Sequence, residues 1–167
     1  PSASDAVPRD WVECVGGTTG IGADARTAGG KGTCWDAFPL AAVGGKLSFL
    51  DDALAAFAMA LFALTQAPHT SHDDDLDAAK DYLITLKKSV KQITSDYQDP
   101  LKGGELVMAQ AYSGDVFTIQ GDNKNIEYVI PASGAFSWVD SMAIPKGAKH
   151  PKNAEAFMNY ILEPKVG

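Results

Sequence analysis

The chain alternates short apolar segments of strand length with longer segments whose apolar residues recur at helical spacing. Residues 46–50 alternate apolar and polar side chains as a strand does, and two aspartates follow them. Those aspartates precede Ala53, and their side-chain oxygens can accept the unpaired N–H groups of a helix start. Strand and helix patterns follow one another again at 105–111, 113–120, 126–130, 134–145 and 151–162. Such alternation predicts an α/β fold.

The most regular helical pattern lies in the middle of the chain. Apolar residues recur at spacings of three and four from Leu76 through Leu86 to Ile93, which predicts one helix along this stretch. Three aspartates, Asp73 to Asp75, lie at its start, and three lysines lie toward its end. This charge order matches the helix dipole. Helix capping explains the aspartates better than a metal site does.

Residues 134–145 combine an aromatic residue and an acid on a predicted strand. Trp138 and Asp140 are two apart in an apolar run, and alternation places residues i and i+2 on the same face of a strand. One face therefore offers an indole plane next to a carboxylate, an arrangement that suits an organic cation. A core tryptophan beside a turn-forming aspartate is the simpler interpretation of the same residues.

The composition indicates which kinds of ligand or partner the chain can bind. Of the 167 residues, 46% are hydrophobic and 21% are charged, which is ordinary for a globular protein with its own core. The net charge of −7 suits a cationic ligand and argues against nucleic acid, because phosphate binding needs clustered lysine and arginine. No apolar run approaches the roughly 20 residues that a membrane-spanning helix requires.

The chain contains two cysteines, Cys14 and Cys34. Two cysteines at this spacing are too few for a zinc site. In an oxidising compartment they could form a disulfide, which would contribute about 3 kcal/mol through chain entropy. Two reduced thiols are the equal alternative.

Two glycine-rich segments match nucleotide-binding motifs only loosely. Residues 20–25 fit a relaxed Gly-x-Gly-x-x-Ala fingerprint, but no helix pattern follows them as dinucleotide binding requires. In residues 29–33 a glycine follows Lys31, where a phosphate loop has serine or threonine. The three histidines and two cysteines show no catalytic spacing. The sequence therefore supports neither an enzyme nor a bound cofactor.

Six short motifs follow one another along most of the chain. They are TTGIG at 18–22, KLSFLDD at 46–52, YSGDV at 112–116, NIEYVIP at 125–131, GAFSWVDSMAIP at 134–145 and NAEAFMNYIL at 153–162. In this order they resemble the periplasmic solute-binding proteins of polyamine ABC transporters, the spermidine/putrescine-binding family. Each motif is a weak match alone, and their common order makes the family signal strong.

The resemblance implies an α/β fold of the type II periplasmic-binding-protein class. In that class two α/β lobes are joined by crossover strands, and the ligand is held in the cleft between them. Residues 18–139 would form the second lobe. Residues 1–17 would be the end of a first-lobe segment, and residues 140–167 would return into that lobe without completing it. The chain would then represent roughly half of such a protein.

The resemblance also implies a set of ligand contacts. In the family, acidic residues bind the ammonium groups of the ligand and aromatic rings enclose its methylene chain. Trp138 would be an aromatic wall, and Asp140 would be an ammonium acceptor. Asp52 would be a second acceptor, at a strand end where ligands of α/β folds commonly bind. Tyr112 stands where the family has tryptophan, so it offers a weaker π face and an added hydroxyl.

One departure from the family bears on affinity. Ala55 stands where the family's polyamine binders carry another acid. The loss of a partly buried ammonium partner costs about 1.5–3 kcal/mol, or ten- to a hundredfold in affinity. Ser113 and Asp115 match the family and are further candidate ligand residues, although Asp115 is first of all a candidate helix cap.

Two functions fit these residues. The first is extracytoplasmic, periplasmic binding of a polyamine or similar small cation for an ABC permease, without a cofactor or nucleic acid. The second is a solute-binding fold that has become a structural subunit of a larger assembly, for instance in an organelle lumen such as the thylakoid lumen. Ala55, Tyr112 and the incomplete first lobe motivate the second function.

Overall fold

Strands and helices alternate along residues 11–28, 34–38, 45–64 and 67–166, which the computed structural model describes. The strands are β1 (Trp11–Asp24), β2 (Leu47–Phe49), β3 (Val90–Ile93), β4 (Met108–Tyr112), β5 (Ile126–Val129) and β6 (Phe136–Ala143). The α-helices are α1 (Ala25–Ala28), α2 (Ala53–Ala63), α3 (Asp73–Leu86), α4 (Gln98–Lys102), α5 (Ser113–Asp122) and α6 (Pro151–Ile161). Short 3₁₀ helices follow at Trp35–Ala37 and Lys87–Ser89. The predicted α/β class is confirmed.

The strands form a mixed sheet in the order β3-β2-β4-β1-β5, and β6 pairs with β1. β2 is parallel to β3 and β4, whereas β1 is antiparallel to β4 and β5. Leu47 is opposite Met108 in the parallel pair, and Thr19 is opposite Tyr112 in the antiparallel pair. The carboxyl ends of β2 and β4 therefore lie at the same end of the sheet, next to Thr19 of β1.

Helices cover both faces of the sheet, as the packing of successive β1 residues, which face opposite sides, indicates. Ile21 and Ala23 belong to a buried cluster that includes residues of α2 and α3. Gly22 faces the other side, where an added Cβ would lie 3.0 Å from the side chains of Leu101 on α4 and Val116 on α5. Residues of α2 and α3 therefore pack on one face of the sheet, and residues of α4 and α5 pack on the other.

The chain divides into two compact units. The larger unit, Gly17–Ser137, contains α1 to α5 and most of the sheet. The smaller unit combines Pro1–Gly16 with Trp138–Gly167, and its described part contains the start of β1, most of β6 and α6. The assignment of these units to the lobes of a binding protein stays a prediction, and residues 1–10 of the expected first-lobe segment lie outside the described residues.

The strand β1 is longer than its local sequence suggests. It runs from Trp11 to Asp24 through the glycine-rich segment, so Gly20 lies in the sheet and not in a nucleotide-binding loop. An added Cβ at Gly20 would come within 2.5 Å of the carbonyl oxygen of Val129 and 2.7 Å of the Tyr128 hydroxyl. Glycine is needed here for close contact with β5. The other glycine-rich segment, residues 29–33, lies outside the described residues.

The prediction of a helix that continues to Ile93 is wrong. α3 ends at Leu86, and after a 3₁₀ turn Val90 and Ile93 form β3, parallel to β2. β-branched residues fit a pleated strand well, and pairing with β2 outweighs the helical spacing. The aspartates of the first turn of α3 do not cap it, because His72 is its N-cap residue.

Cys14 and Cys34 are not joined by a disulfide in the structure, and their pairing in an oxidising compartment stays a prediction. Cys14 lies on β1 in the smaller unit, and its Sγ donates a hydrogen bond to the carbonyl oxygen of Asp140 at 3.3 Å. Cys34 lies in the larger unit, as the N-cap residue of the 3₁₀ helix Trp35–Ala37.

Candidate functional site

Asp52 lies where β2 leads into α2. It is the N-cap residue of α2, and its Oδ1 accepts a hydrogen bond from the backbone N–H of Ala55 at 3.1 Å. The predicted capping of this helix is confirmed. The Asp52 side chain is exposed, and a carboxylate has acceptor sites beyond the one that caps the helix. Asp52 therefore has the chemistry to accept a hydrogen bond from a cation at this corner.

A buried glutamine holds this corner in place. Gln110 on β4 is only 1% exposed. Its Nε2 donates to the carbonyl oxygen of Ala55 at 2.9 Å, and its Oε1 accepts the backbone N–H of Leu50 at 3.4 Å. These bonds lie on either side of Asp52 in the sequence, so the amide fixes the turn that presents the carboxylate. Gln110 was not among the predicted site residues, although a polar residue inside an apolar strand was the available signal.

Replacement of Gln110 by leucine tests this role. We expect Gln110→Leu to lower the free energy of unfolding by about 1–3 kcal/mol, because the buried N–H of Leu50 and the partly buried carbonyl of Ala55 lose this partner. Urea unfolding of the full-length natural protein measures the change. Gln92→Leu on β3 is a matched control, since the buried Nε2 of Gln92 has no hydrogen-bond partner among the described residues. An equal loss in both variants would contradict the role of Gln110.

The second corner is the junction of β4 and α5. Tyr112 is the last residue of β4 and the N-cap residue of α5, and its side chain is half-buried. Its backbone N–H donates a hydrogen bond to the hydroxyl of Tyr97 at 2.8 Å. Because β2 and β4 are parallel neighbours, Tyr112 lies at the same end of the sheet as Asp52. The structure thus brings these two predicted residues to one region of the larger unit.

Ser113 connects this corner to β1. Its Oγ accepts the backbone N–H of Thr18 at 3.2 Å, and the Oγ1 of Thr18 is 2.7 Å from the hydroxyl of Tyr128. Burial raises the pKa of Tyr128, and its hydrogen bond to Thr18 opposes that shift. The Ser113 hydroxyl keeps its own proton to donate. Ser113 therefore has a structural role in the larger unit, and its predicted contact with a ligand stays a prediction.

Asp115 lies in the first turn of α5 without capping it. The helix-cap interpretation is wrong, because Tyr112 occupies the N-cap position. The Oδ2 of Asp115 accepts hydrogen bonds from the Tyr97 hydroxyl at 2.8 Å and from Nε2 of Gln98 at 2.9 Å. Its carboxylate is therefore held by two side chains of the same unit.

Trp138 and Asp140 lie on β6 in the smaller unit. The predicted strand is confirmed, and alternation places both residues on one face of it. Trp138 is half-buried and Asp140 is exposed. The start of β1 lies against this strand, since an added Cβ at Gly16 would be 3.4 Å from the carbonyl oxygen of Trp138. The smaller unit therefore holds an aromatic residue and an exposed carboxylate on one strand.

The described residues show two further features. None of their helices is both long enough and apolar enough to cross a membrane. The same residues contain no group of three or more histidine, cysteine, aspartate or glutamate side chains that could hold a metal ion.

Most of the chain is similar in sequence to proteins of a known family. The family of bacterial extracellular solute-binding proteins matches residues 3–166. The spermidine/putrescine-binding periplasmic protein of Escherichia coli K12 is 30% identical over 167 residues, which are 99% of this chain and 47% of the relative. The putrescine-binding periplasmic protein SpuD of Pseudomonas aeruginosa UCBPP-PA14 is 32% identical over 127 residues, covering 72% of this chain and 35% of the relative. The chain thus spans half or less of the length of these relatives.

A solved structure shares the fold. The Tp0655 (TpPotD) lipoprotein of Treponema pallidum matches with a TM-score of 0.83 and 26% identity, covering 93% of this chain and 50% of that one. This likeness confirms the periplasmic-binding-protein fold that the motifs predict. Since the family match extends over nearly all its residues, the chain belongs to the bacterial extracellular solute-binding protein family.

Proposed function

We propose that this chain takes part in the extracytoplasmic binding of polyamines or similar small organic cations for ABC import. The names of its relatives support that ligand class. The observation that carries the proposal is the position of Asp52. It is an exposed carboxylate at the end of a parallel strand, where ligands of α/β folds bind. One of its oxygens caps α2, and the carboxylate can accept an ammonium hydrogen bond as well.

Each unit contains one carboxylate and one aromatic residue with the chemistry to contact a polyamine. Asp52 and Tyr112 belong to the larger unit, and Trp138 and Asp140 belong to the smaller one. A polyamine carries ammonium groups separated by methylene segments, so it needs charged acceptors and apolar planes in alternation. Charge-assisted hydrogen bonds bind the ammonium groups, while the rings cover the hydrocarbon and attract the charge.

Ala55 bears on the expected affinity for a polyamine. Its N–H binds Asp52 and its carbonyl binds Gln110, so its backbone maintains the corner. Its methyl group packs against the buried cluster around Tyr97 and adds no charge where polyamine binders of the family carry an acid. We therefore propose weaker binding than a site with that acid would give, by about ten- to a hundredfold.

The permease of an ABC importer is the proposed protein partner, and the periplasm the proposed location. Periplasmic relatives support an extracytoplasmic location and give no support to an organelle lumen. The alternative of a structural subunit without a ligand rests on Ala55 and Tyr112. It differs from the proposal in one measurable respect, the binding of a cation.

Calorimetric titration of the full-length natural protein with spermidine and then putrescine tests the proposal. We expect saturable one-to-one binding with a dissociation constant in the micromolar range or below, roughly −8 kcal/mol. Tryptophan fluorescence, recorded in parallel, should change with the same affinity because an indole lies at the proposed site. The uncharged analogue 1,4-butanediol is the control and should not bind. If neither polyamine binds saturably, the proposed function is wrong and the subunit alternative is favoured.

A further inference from the structure

The Tyr97 hydroxyl links the backbone of Tyr112 to the carboxylate of Asp115. Tyr97 directly precedes α4 and is completely buried. Its hydroxyl oxygen is 2.8 Å from the backbone nitrogen of Tyr112 and 2.8 Å from Oδ2 of Asp115. One side chain therefore contacts both the last residue of β4 and the first turn of α5.

The direction of these two hydrogen bonds is fixed by chemistry. The backbone N–H of Tyr112 can only donate, so the Tyr97 oxygen accepts there. The Tyr97 proton must then be donated to Asp115, whose carboxylate can accept it. Burial raises the pKa of Tyr97, which keeps this proton in place. The result is a directed chain from the Tyr112 amide through Tyr97 to Asp115.

Asp115 is further restrained by Gln98. The Nε2 of Gln98 donates to the same Oδ2 atom at 2.9 Å. Asp115 also lies in the first turn of α5, where the helix dipole favours a negative charge. These contacts hold the Oδ2 atom of its carboxylate within the larger unit.

We propose that Tyr97 and Asp115 are positioning residues that orient the β4–α5 corner, and with it Tyr112 and Ser113, for ligand binding. Asp115 acts through Tyr97. The inference rests on the proposed function, because it deepens the role of a corner that the proposed function assigns to the polyamine.

Four variants of the full-length natural protein separate positioning from direct contact. We expect Tyr97→Phe and Asp115→Ala each to weaken spermidine binding about tenfold, since each leaves a buried polar group of the corner without its partner. The double variant should be no weaker than either single variant, because the two residues act in one chain. Asp115→Asn keeps an acceptor for the Tyr97 proton and should bind spermidine within about threefold of the unaltered protein.

A second readout requires no ligand. In the ligand-free protein, Tyr97→Phe should speed the hydrogen exchange of the Tyr112 amide, because that amide loses its acceptor. Tyr82→Phe is the matched control, because it removes another hydroxyl of the larger unit: that of Tyr82 on α3, which donates to the backbone carbonyl of Trp35 at 3.4 Å. Tyr82→Phe should change neither spermidine affinity nor exchange at Tyr112.

The outcomes distinguish the inference from the proposed function. If the unaltered protein binds neither spermidine nor putrescine, the proposed function fails and the inference falls with it. If the unaltered protein binds, three results would each overturn the inference alone. The first is an equal loss of affinity in Asp115→Asn and Asp115→Ala, which would indicate a direct contact with an ammonium group. The second is a loss of affinity in the double variant equal to the product of the two single losses. The third is an unchanged hydrogen-exchange rate of the Tyr112 amide in Tyr97→Phe.

Discussion

Spermidine binding by the full-length natural protein is expected to weaken at least tenfold when Asp140 is replaced by alanine. A hydrogen bond to a charged group contributes about 1.5–3 kcal/mol, which is roughly ten- to a hundredfold in affinity. The loss should come from the side chain alone. Asp140 is exposed, and its contact with Cys14 uses the backbone carbonyl oxygen, which alanine retains. Calorimetric titration measures the affinity, and thermal unfolding shows whether the fold is kept.

A second variant distinguishes a direct contact between Asp140 and the ligand from the long-range electrostatic attraction of the negatively charged protein. Glu155 is an exposed acid on α6 in the same unit as Asp140. Glu155→Ala therefore removes the same charge from the same unit, and it should change the affinity by no more than about twofold, since exposed charges are screened by solvent and salt. Equal losses in the two variants would indicate a field effect. Unchanged affinity in Asp140→Ala would remove Asp140 from the proposed site.

Elements with local signals are the ones that the sequence predicts well. The strand–helix boundary at Asp52 is an example, because alternation ends there and a capping side chain begins the next helix. Both signals depend on neighbouring residues only, and the structure agrees with them at β2 and α2. The strand with Trp138 was predictable for the same reason.

Long-range pairing explains the wrong prediction at the end of α3 and the unexpected length of β1. Val90 and Ile93 continue the helical spacing of α3, yet they form β3 because β2 is available as a parallel partner. Gly20 and Gly22 look like breakers in the sequence, yet they lie within β1 because β4 and β5 pair with it on either side. In both cases the deciding contact lies tens of residues away.

The residues that hold the candidate site were missed for a related reason. Gln110 contacts Ala55, and Tyr97 contacts Tyr112 and Asp115, all distant in the sequence. Composition and spacing point to residues with ligand chemistry, such as Asp52 and Trp138. They do not indicate which buried polar side chain fixes the backbone beneath those residues, because that depends on how the sheet is ordered.

The largest effect on stability is expected at Trp35. Its indole is 1% exposed, and its Nε1 donates a hydrogen bond to the carbonyl oxygen of Gly134 at 2.8 Å. Gly134 has a φ of +123°, which favours glycine, and an added Cβ there would collide with the ring of Phe62. This turn directly precedes β6, so Trp35 holds the segment that leads into the strand of Trp138 and Asp140.

Trp35→Ala should lower the free energy of unfolding by about 3–5 kcal/mol, because it removes a large buried side chain and leaves a cavity. Trp35→Phe keeps an aromatic ring against Phe38, whose centroid is 5.8 Å away, and loses the indole N–H. It should cost less, about 1–3 kcal/mol, chiefly through the unsatisfied carbonyl of Gly134. Urea unfolding of both variants gives the two values. If the two variants lost the same free energy of unfolding, the hydrogen bond to the turn would account for the whole loss and the cavity for none. That result would contradict a contribution of the buried Trp35 ring to core packing.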